Sequence, residues 1–217
     1  MGMASDDEQI YAWTTQHRLL LADVLASLAP GQWQAPTLCA GWTVHDLAGH
    51  LVQPVYVSFR RFFVVSLRYW GNTDATVAHF ARELAQAEPA HLIELLRAHA
   101  ADQVSPPRVG PMGPFADACI HLRDLARPLG LSADVPAEHW QTLLDYLVSD
   151  EVAPALVPPG RLEGVGLRAT DADWSGGIGP AAEGTLEALA LAATGRSVAA
   201  DELTGPGADL LRHRLRR

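Results

Sequence analysis

Apolar residues recur at helical spacing through most of the chain, and a strand-like alternation replaces that spacing only near the C-terminal end. The first helical pattern covers residues 10–28, follows a capping box at residues 5–8 and stops before Pro30. A second start signal, formed by Thr43 and the acid three residues later, opens a long run without a turn dipeptide. We therefore predict a first helix that ends before Pro30 and a second, longer helix over residues 44–70.

Four shorter helical patterns follow, and proline or glycine residues bound them. Pro89 stands where a first helical position is expected, because the missing N–H of proline has no helical partner there. Pro128 and Gly130 close a later pattern, since neither residue continues a helix well. The helices predicted in this part of the chain cover residues 74–87, 89–100, 115–127 and 136–153.

The pattern changes from Arg161 onward. The segment RLEGVGLRATD alternates, DADWSGGIGP is typical of a turn with a short strand, and residues 183–194 have helical spacing with Gly195 as the cap. We therefore expect a mainly α protein in two parts. A helical bundle covers residues 1–155, and a small C-terminal α/β domain covers residues 156–217.

Composition and charge narrow the class of partner. Of the 217 residues, 48% are hydrophobic and 19% are charged, which is ordinary for a globular protein. The net charge of −9 disfavours binding to the phosphates of nucleic acid or to an anionic membrane surface. The acidic start of the chain lacks the layout of a secretory signal. We expect a cytoplasmic protein that binds small molecules, with no nucleic-acid or membrane partner, and the sequence leaves its oligomeric state unknown.

The basic residues and the cysteines exclude several chemistries. All 16 basic residues are arginine, which rules out a Schiff-base lysine and a P-loop lysine. Cys39 and Cys119 form no CxxC motif and are too few for a thiolate zinc knuckle. We interpret both as ordinary buried thiols.

One histidine has acidic neighbours at a spacing that suits metal binding. Asp117 precedes His121 by four residues and Asp124 follows it by three, so that the three side chains share one helix face. The D-x-x-x-H pair offers an oxygen and a nitrogen ligand, and Asp124 is placed to orient the imidazole. The alternative is a solvated face, because the apolar stripe of this helix lies elsewhere, and spacing alone favours that alternative.

A second candidate ligand is His50 in the predicted second helix. Asp46 lies on the same face, but its capping box with Thr43 already uses it, which makes His50 the freer ligand. Pro54 removes the backbone hydrogen bond to the His50 carbonyl and should kink the helix, either to support a ligand or to wrap the bundle around its core.

Six further histidines have no ligand-spaced partner, and we interpret them as structural or solvated: His17, His79, His91, His99, His139 and His213.

Two segments, TLCAGWTVHDLAGHL and DACIHLRDLARPLG, resemble the mycothiol-dependent maleylpyruvate isomerase family within the DinB-like metal-binding bundles. The later LRATDADWSGGIGP, ATGR and GPG also resemble that family, so the likeness covers nearly the whole chain. It implies a DinB-like four-helix bundle with a small C-terminal α/β appendage. It also implies one divalent metal, usually zinc, held by His50, Asp117 and His121. The family enzyme has the longer Glu at the position of Asp117, so we expect the metal to lie closer to that helix or to be held less tightly. The ligand assignment carries over, whereas the substrate does not.

The resemblance also implies an activity. Three protein ligands leave one coordination position open, which is typical of a catalytic zinc. The family uses mycothiol as thiol co-substrate, so we expect a transferase or isomerase that presents a thiolate to a small electrophile. Arg196, in ATGR, is our candidate for binding an anionic substrate, although it suits the dipole of the preceding helix equally well. The other arginines that we considered for this role are Arg60, Arg61, Arg123 and Arg127.

Other function classes fit the sequence less well. A non-catalytic metal-binding regulatory or stress-response protein stays open as the main alternative, in which Asp46 or Asp124 closes the fourth coordination position. Gly177-x-Gly179 suggests a dinucleotide motif, but the following proline and the few strands argue against that motif. No G-x-S-x-G motif is present, so we do not expect a serine hydrolase.

Overall fold

The structure is a computed structural model that describes residues 3–106 and 109–216 of the chain. Its described part is mainly helical with one small sheet, which confirms the predicted fold class. The assignment as a four-helix bundle stays a prediction. The elements are α1 (Met3–Ala26), the 3-10 helix η1 (Pro30–Gln34), α2 (Val44–Tyr56), α3 (Phe59–Ser66), the 3-10 helix η2 (Leu67–Tyr69), α4 (Thr73–Leu84), α5 (Pro89–Ala98), α6 (Met112–Ala126), α7 (Ala137–Leu147), β1 (Gly166–Ala169), β2 (Ser175–Gly177), β3 (Ala181–Gly184), α8 (Leu186–Ala193), α9 (Ser197–Asp201) and α10 (Pro206–Leu215).

The chain packs as two compact units, and α6 contributes residues to both. The first unit comprises Met1–Val104 and His121–Ala133, and the second comprises Ser105–Ile120 and Asp134–Arg217. The domain boundary between residues 155 and 156 stays a prediction.

Helix α2 lies at the centre of the first unit, where it packs against α4 and α5, while α1 packs against α5. A glycine allows the close contact between α2 and α4. A Cβ atom at Gly49 would lie 2.3 Å from the carbonyl oxygen of Ala81, so only glycine fits at this crossing. Leu47 of α2 and Phe80 of α4 are fully buried. This packing fixes the position of the next residue, His50.

The start of α2 confirms the predicted capping box, but its end differs from the prediction. The Thr43 hydroxyl accepts a hydrogen bond from the Asp46 amide, and the Asp46 carboxylate accepts one from the Thr43 amide. The single helix predicted over 44–70 is wrong, because α2 ends at Tyr56 and Val57 is extended. Pro54 lacks the N–H that would continue the hydrogen-bond ladder. Ser58 then caps the separate helix α3.

Two other predicted helix starts need correction. Helix α1 already begins at Met3, so Ser5 in the predicted capping box is not its N-cap residue. The helix predicted over residues 183–194 begins at Leu186, after the N-cap Thr185, and not at residue 183. Glu183 instead belongs to β3, where its backbone pairs with Arg168 of β1. A strand pairing of this kind is set by tertiary contacts that local helix propensity does not reveal.

The second unit contains the sheet, with strand order β2-β1-β3. Strand β1 pairs antiparallel with β2 and parallel with β3. Helix α10 packs against β3, and α8 packs against α7 and α9. Leu167, Ala182 and most of α8 are buried, which gives this unit an apolar core of its own. Among the described residues, no helix has both the length and the apolar character needed to cross a membrane.

Candidate metal centre

Helix α6 carries two of the three expected ligands, and its buried stripe fixes their orientation. Five of the six residues predicted to form the apolar stripe are buried in the structure, and the sixth, Leu129, is half-buried beyond the end of α6. His121, however, is only 8% exposed, so the expectation of a solvated face is wrong at this position. Asp117 lies one turn earlier on the same helix and is half-buried. The buried members of the stripe are Phe115, Ala118, Cys119, Leu122 and Ala126.

Asp124 holds the His121 ring from one side. Nδ1 of His121 lies 2.9 Å from Oδ2 of Asp124, whose side chain is fully buried. The ionised carboxylate only accepts hydrogen bonds, so Nδ1 carries a proton and donates it to Asp124. This contact leaves Nε2 as the nitrogen that can bind a metal. The predicted role of Asp124 in orienting the imidazole fits this geometry.

The charge of Asp124 changes the protonation of His121. Burial has the largest effect on the pKa of His121 and lowers it. The hydrogen bonds with Asp124 and Cys39 act in the opposite direction and together raise the pKa from 6.5 to about 10. The buried carboxylate therefore has a cationic or proton-donating partner over the whole neutral range.

His50 approaches His121 from helix α2. The two ring centroids are 4.9 Å apart, and the planes are nearly perpendicular at 86°. Trp42 also packs against His50 in a T-shaped contact, with 5.3 Å between centroids. Nδ1 of His50 lies 3.4 Å from the side-chain oxygen of Gln53, one turn later on α2. Aromatic packing and this polar contact keep the His50 ring beside His121.

The three expected ligands come together. Ligand atoms of His50, Asp117 and His121 lie within 4.8 Å of one another, a separation that one divalent ion can bridge. Two imidazole nitrogens with one carboxylate oxygen are a donor set that catalytic zinc sites use. The Asp46 carboxylate accepts hydrogen bonds from the Thr43 backbone and hydroxyl. Asp46 therefore serves the helix cap rather than this cluster.

Cys39 is the residue of this region that the sequence analysis missed. It lies in the turn before α2, where the Trp42 amide donates to the Cys39 carbonyl. Its sulfur lies 3.1 Å from Oδ2 of Asp124 and 3.8 Å from Nδ1 of His121. Cys39 is half-buried and polar in its contacts, so the interpretation as an ordinary core thiol is wrong. Cys119 does fit that interpretation, since burial raises the pKa of its thiol.

Arg196 lies in the second unit as the N-cap residue of α9. Its guanidinium donates a 2.8 Å hydrogen bond to the carbonyl of Thr194. Burial and the nearby charge of Arg196 lower the pKa of Arg161, so the two guanidinium groups are close enough to repel. Two clustered cations suit an anion, but the catalytic role of Arg196 stays a prediction.

Other arginines that the sequence analysis considered already have structural partners. Arg61 forms an ion pair with Glu83 and lies over the ring of Phe80. Arg123 donates to the carbonyl of Ala133 at 2.8 Å. These contacts support local packing and weaken the case for either arginine as a substrate ligand.

Comparisons with known proteins agree on one family. The model of the mycothiol maleylpyruvate isomerase N-terminal domain matches residues 15–126, a range that includes His50, Asp117 and His121. The chain is similar to a crystal structure of a mutant of the mycothiol-dependent maleylpyruvate isomerase, with a TM-score of 0.61 and 16% identity over 92% of both chains. A crystal structure of the mycothiol-dependent maleylpyruvate isomerase gives a TM-score of 0.59 at the same identity and coverage. At this identity, the likeness shows a shared fold. No curated protein sequence matches the chain.

Proposed function

Because the chain belongs to the mycothiol maleylpyruvate isomerase N-terminal domain family, we propose that it is a divalent-metal-dependent enzyme. It uses mycothiol either to isomerise a small electrophile or to form a thiol conjugate with it. We propose zinc as the metal, with His50, Asp117 and His121 as its ligands. A cytoplasmic location fits this proposal, since that compartment keeps thiols reduced.

The cluster of two imidazoles and one carboxylate is the observation that carries this proposal. It unites side chains that are separated by up to 71 residues in sequence, on helices α2 and α6. Asp124 accepts the Nδ1 proton of His121, so Nε2 is the nitrogen that a metal binds once it displaces the second proton of the ring. The chain thus supplies a preoriented ligand set and not merely three polar side chains near one another.

The charge of the ligand set suits thiol activation. A divalent ion with three protein ligands has room for a thiol and lowers its pKa, which yields the nucleophilic thiolate at neutral pH. Asp117 is the only anionic residue among the three proposed ligands, and His50 and His121 bind as neutral imidazoles. The set therefore leaves net positive charge to stabilise a thiolate, whereas a structural site with four thiolate ligands has none to spare.

The same thiolate supports either outcome. When its sulfur adds to one carbon of a carbon–carbon double bond, that bond becomes single and rotates, and expulsion of the sulfur restores the double bond as the other isomer. When the electrophile carries a leaving group, the carbon–sulfur bond stays and a conjugate is released. The family name favours the first outcome. We propose that Arg196 binds a carboxylate of the substrate through its planar guanidinium.

The contacts of the two nearby acids favour an enzyme over a non-catalytic metal-binding protein. Asp46 caps α2, and Asp124 accepts hydrogen bonds from His121 and Cys39. Both carboxylates thus have hydrogen-bonding roles outside the proposed ligand set, which supports a fourth coordination position that is left to the thiol. The test is mycothiol-dependent loss of maleylpyruvate by the zinc-loaded protein. Turnover that needs both zinc and mycothiol supports the proposal, and stoichiometric zinc without turnover of any mycothiol-reactive electrophile supports the non-catalytic alternative.

A further inference from the structure

A second group of ligand atoms lies on the Nδ1 side of His121. Ligand atoms of Cys39, His121 and Asp124 lie within 4.8 Å of one another. The separations are 3.8 Å from sulfur to Nδ1, 3.1 Å from sulfur to the carboxylate and 2.9 Å from Nδ1 to the carboxylate. Cys39 supplies the only thiol in the two ligand groups that the described residues form. The function proposed above makes no use of this thiol.

We propose that Cys39, Asp124 and Nδ1 of His121 form a second cation position, selective for thiophilic ions, that competes with the first position for His121. Thiolate ligands select soft metals, whereas a set with only imidazole and carboxylate ligands accepts harder ions. The two positions therefore differ in the ions that they prefer.

The separations in this group suit a single ion. Metal–ligand distances of about 2.3 Å for sulfur and about 2.0–2.2 Å for nitrogen and oxygen, at tetrahedral angles, place the ligand atoms roughly 3.3–3.6 Å apart. The observed separations of 3.8, 3.1 and 2.9 Å each differ from this range by less than about half an ångström. Small side-chain rotations remove such differences, and Cys39 lies on a turn outside the helices.

The proton balance makes the two positions exclusive. An ion at the second position replaces the S–H proton of Cys39 and the Nδ1–H proton of the doubly protonated His121 ring, and both protons go to solvent. The neutral ring then keeps its remaining proton on Nε2, the nitrogen that the first position needs. One ring thus serves one position at a time. The competition rests on the proposed function, whereas the existence of the second position does not.

Burial gives the second position an accessible side. Asp124 is fully buried and His121 nearly so, whereas Cys39 is half-buried and lies in the turn between η1 and α2. A thiophilic ion would therefore meet the sulfur first and recruit the two buried ligands afterwards. Bound in this way, the ion would inhibit the enzyme by withdrawing His121 from the first position.

The test is a titration of the metal-free, full-length protein with Cd²⁺, followed by the ultraviolet charge-transfer absorption of a cadmium–thiolate bond. We expect this absorption in the natural protein and in Cys119→Ala, and we expect its loss in Cys39→Ala. Cys119→Ala is the matched control, because it removes the buried cysteine of α6 and keeps Cys39. Circular dichroism confirms that each variant is folded. Absorption that persists in Cys39→Ala, or that is absent from the natural protein, would overturn the second position.

Two further measurements separate this inference from the proposed function. In His50→Ala, which lacks a ligand of the first position only, the cadmium–thiolate absorption should be retained, and its loss would mean that Cys39 belongs to a single shared site. In zinc-loaded protein, Cd²⁺ should release zinc at a concentration at least about tenfold lower than in Cys39→Ala. Simultaneous binding of one zinc and one cadmium would overturn the competition. Absence of mycothiol-dependent turnover would refute the proposed function alone.

Discussion

Oδ2 of Asp124 accepts a 2.9 Å hydrogen bond from Nδ1 of His121, and the sulfur of Cys39 lies 3.1 Å from the same oxygen. This oxygen is fully buried, so its contacts are not weakened by competition with water. Asp124 therefore determines which nitrogen of His121 faces His50. This hydrogen bond between residues three apart on α6 therefore fixes the orientation of the His121 ring as a ligand.

We predict that Asp124→Asn lowers zinc affinity by about 10–100-fold while all three metal ligands remain. The amide keeps the size of the side chain but removes the charge that fixes the proton on Nδ1 of His121. Zinc affinity is measured by competition with a chelator of known affinity. Asp102→Asn is the matched control, because Asp102 contacts His99 at 2.8 Å with the same i, i+3 spacing but on the surface. Equal losses in the two variants would contradict the role of Asp124.

We predict that Arg196→Gln raises the KM for maleylpyruvate by about tenfold or more and leaves the zinc content unchanged. The substitution removes the planar cation but keeps a polar side chain beside Thr194. Steady-state kinetics at saturating mycothiol measures the change. Arg68→Gln, at an exposed arginine in η2, controls for loss of one positive charge. An unchanged KM in Arg196→Gln would show that the residue supports only its own helix cap.

We predict that Gly49→Ala destabilises the protein by about 2 kcal/mol, because a new Cβ would lie 2.3 Å from the Ala81 carbonyl oxygen. This cost exceeds the gain of roughly 1 kcal/mol from replacing a helical glycine. Urea unfolding measures the free energy of unfolding. Gly31→Ala is the control, since nothing lies within 4 Å of its Cβ position, and it should change stability by less than about 0.5 kcal/mol. Equal stability of both variants would mean that α2 and α4 can separate without cost.

We predict that His139 makes stability depend on pH. It is 5% exposed and contacts the ring of Phe115, and burial lowers its pKa below 6.5. The unfolded chain therefore takes up this proton first as the pH falls. The stability that the neutral, buried form of His139 contributes is fully present above pH 6.5. It is lost as the pH falls through the lowered pKa of the folded state.

The measurement is the free energy of unfolding at pH 8 and pH 5 in the natural protein and in His139→Leu. The loss of stability on acidification should be smaller in His139→Leu, whereas His91→Ala, at an exposed histidine, should behave like the natural protein. An identical pH dependence in all three proteins would show that His139 is protonated as readily in the folded state as in the unfolded chain.

Local sequence signals predict those parts of the site that depend on one helix. The capping box of Thr43 and Asp46 sets the start of α2, and the i, i+3, i+4 spacing places Asp117 and Asp124 around His121. Both signals act over less than two helical turns. The end of α2 at Tyr56 is harder to predict, because Pro54 is compatible with a kink in one continuous helix. Ser58, the cap of α3, is the local signal for a new helix.

Long-range packing determines what the sequence did not reveal. His121 is buried although the apolar stripe of α6 lies elsewhere, because His50 and Asp124 cover its ring. Cys39 is 82 residues from His121, so no spacing rule connects them. The family resemblance, and not the residue spacing, predicted that His50 binds the same metal as Asp117 and His121.

Zinc content of the purified protein, measured by mass spectrometry with His50→Ala, His121→Ala and His91→Ala prepared in parallel, tests the central claim most directly. We predict about one zinc per chain in the natural protein and in His91→Ala. We predict less than about a tenth of that in His50→Ala and His121→Ala, with unchanged circular dichroism. Stoichiometric zinc in both ligand variants, or none in the natural protein after growth with zinc, would contradict the metal centre.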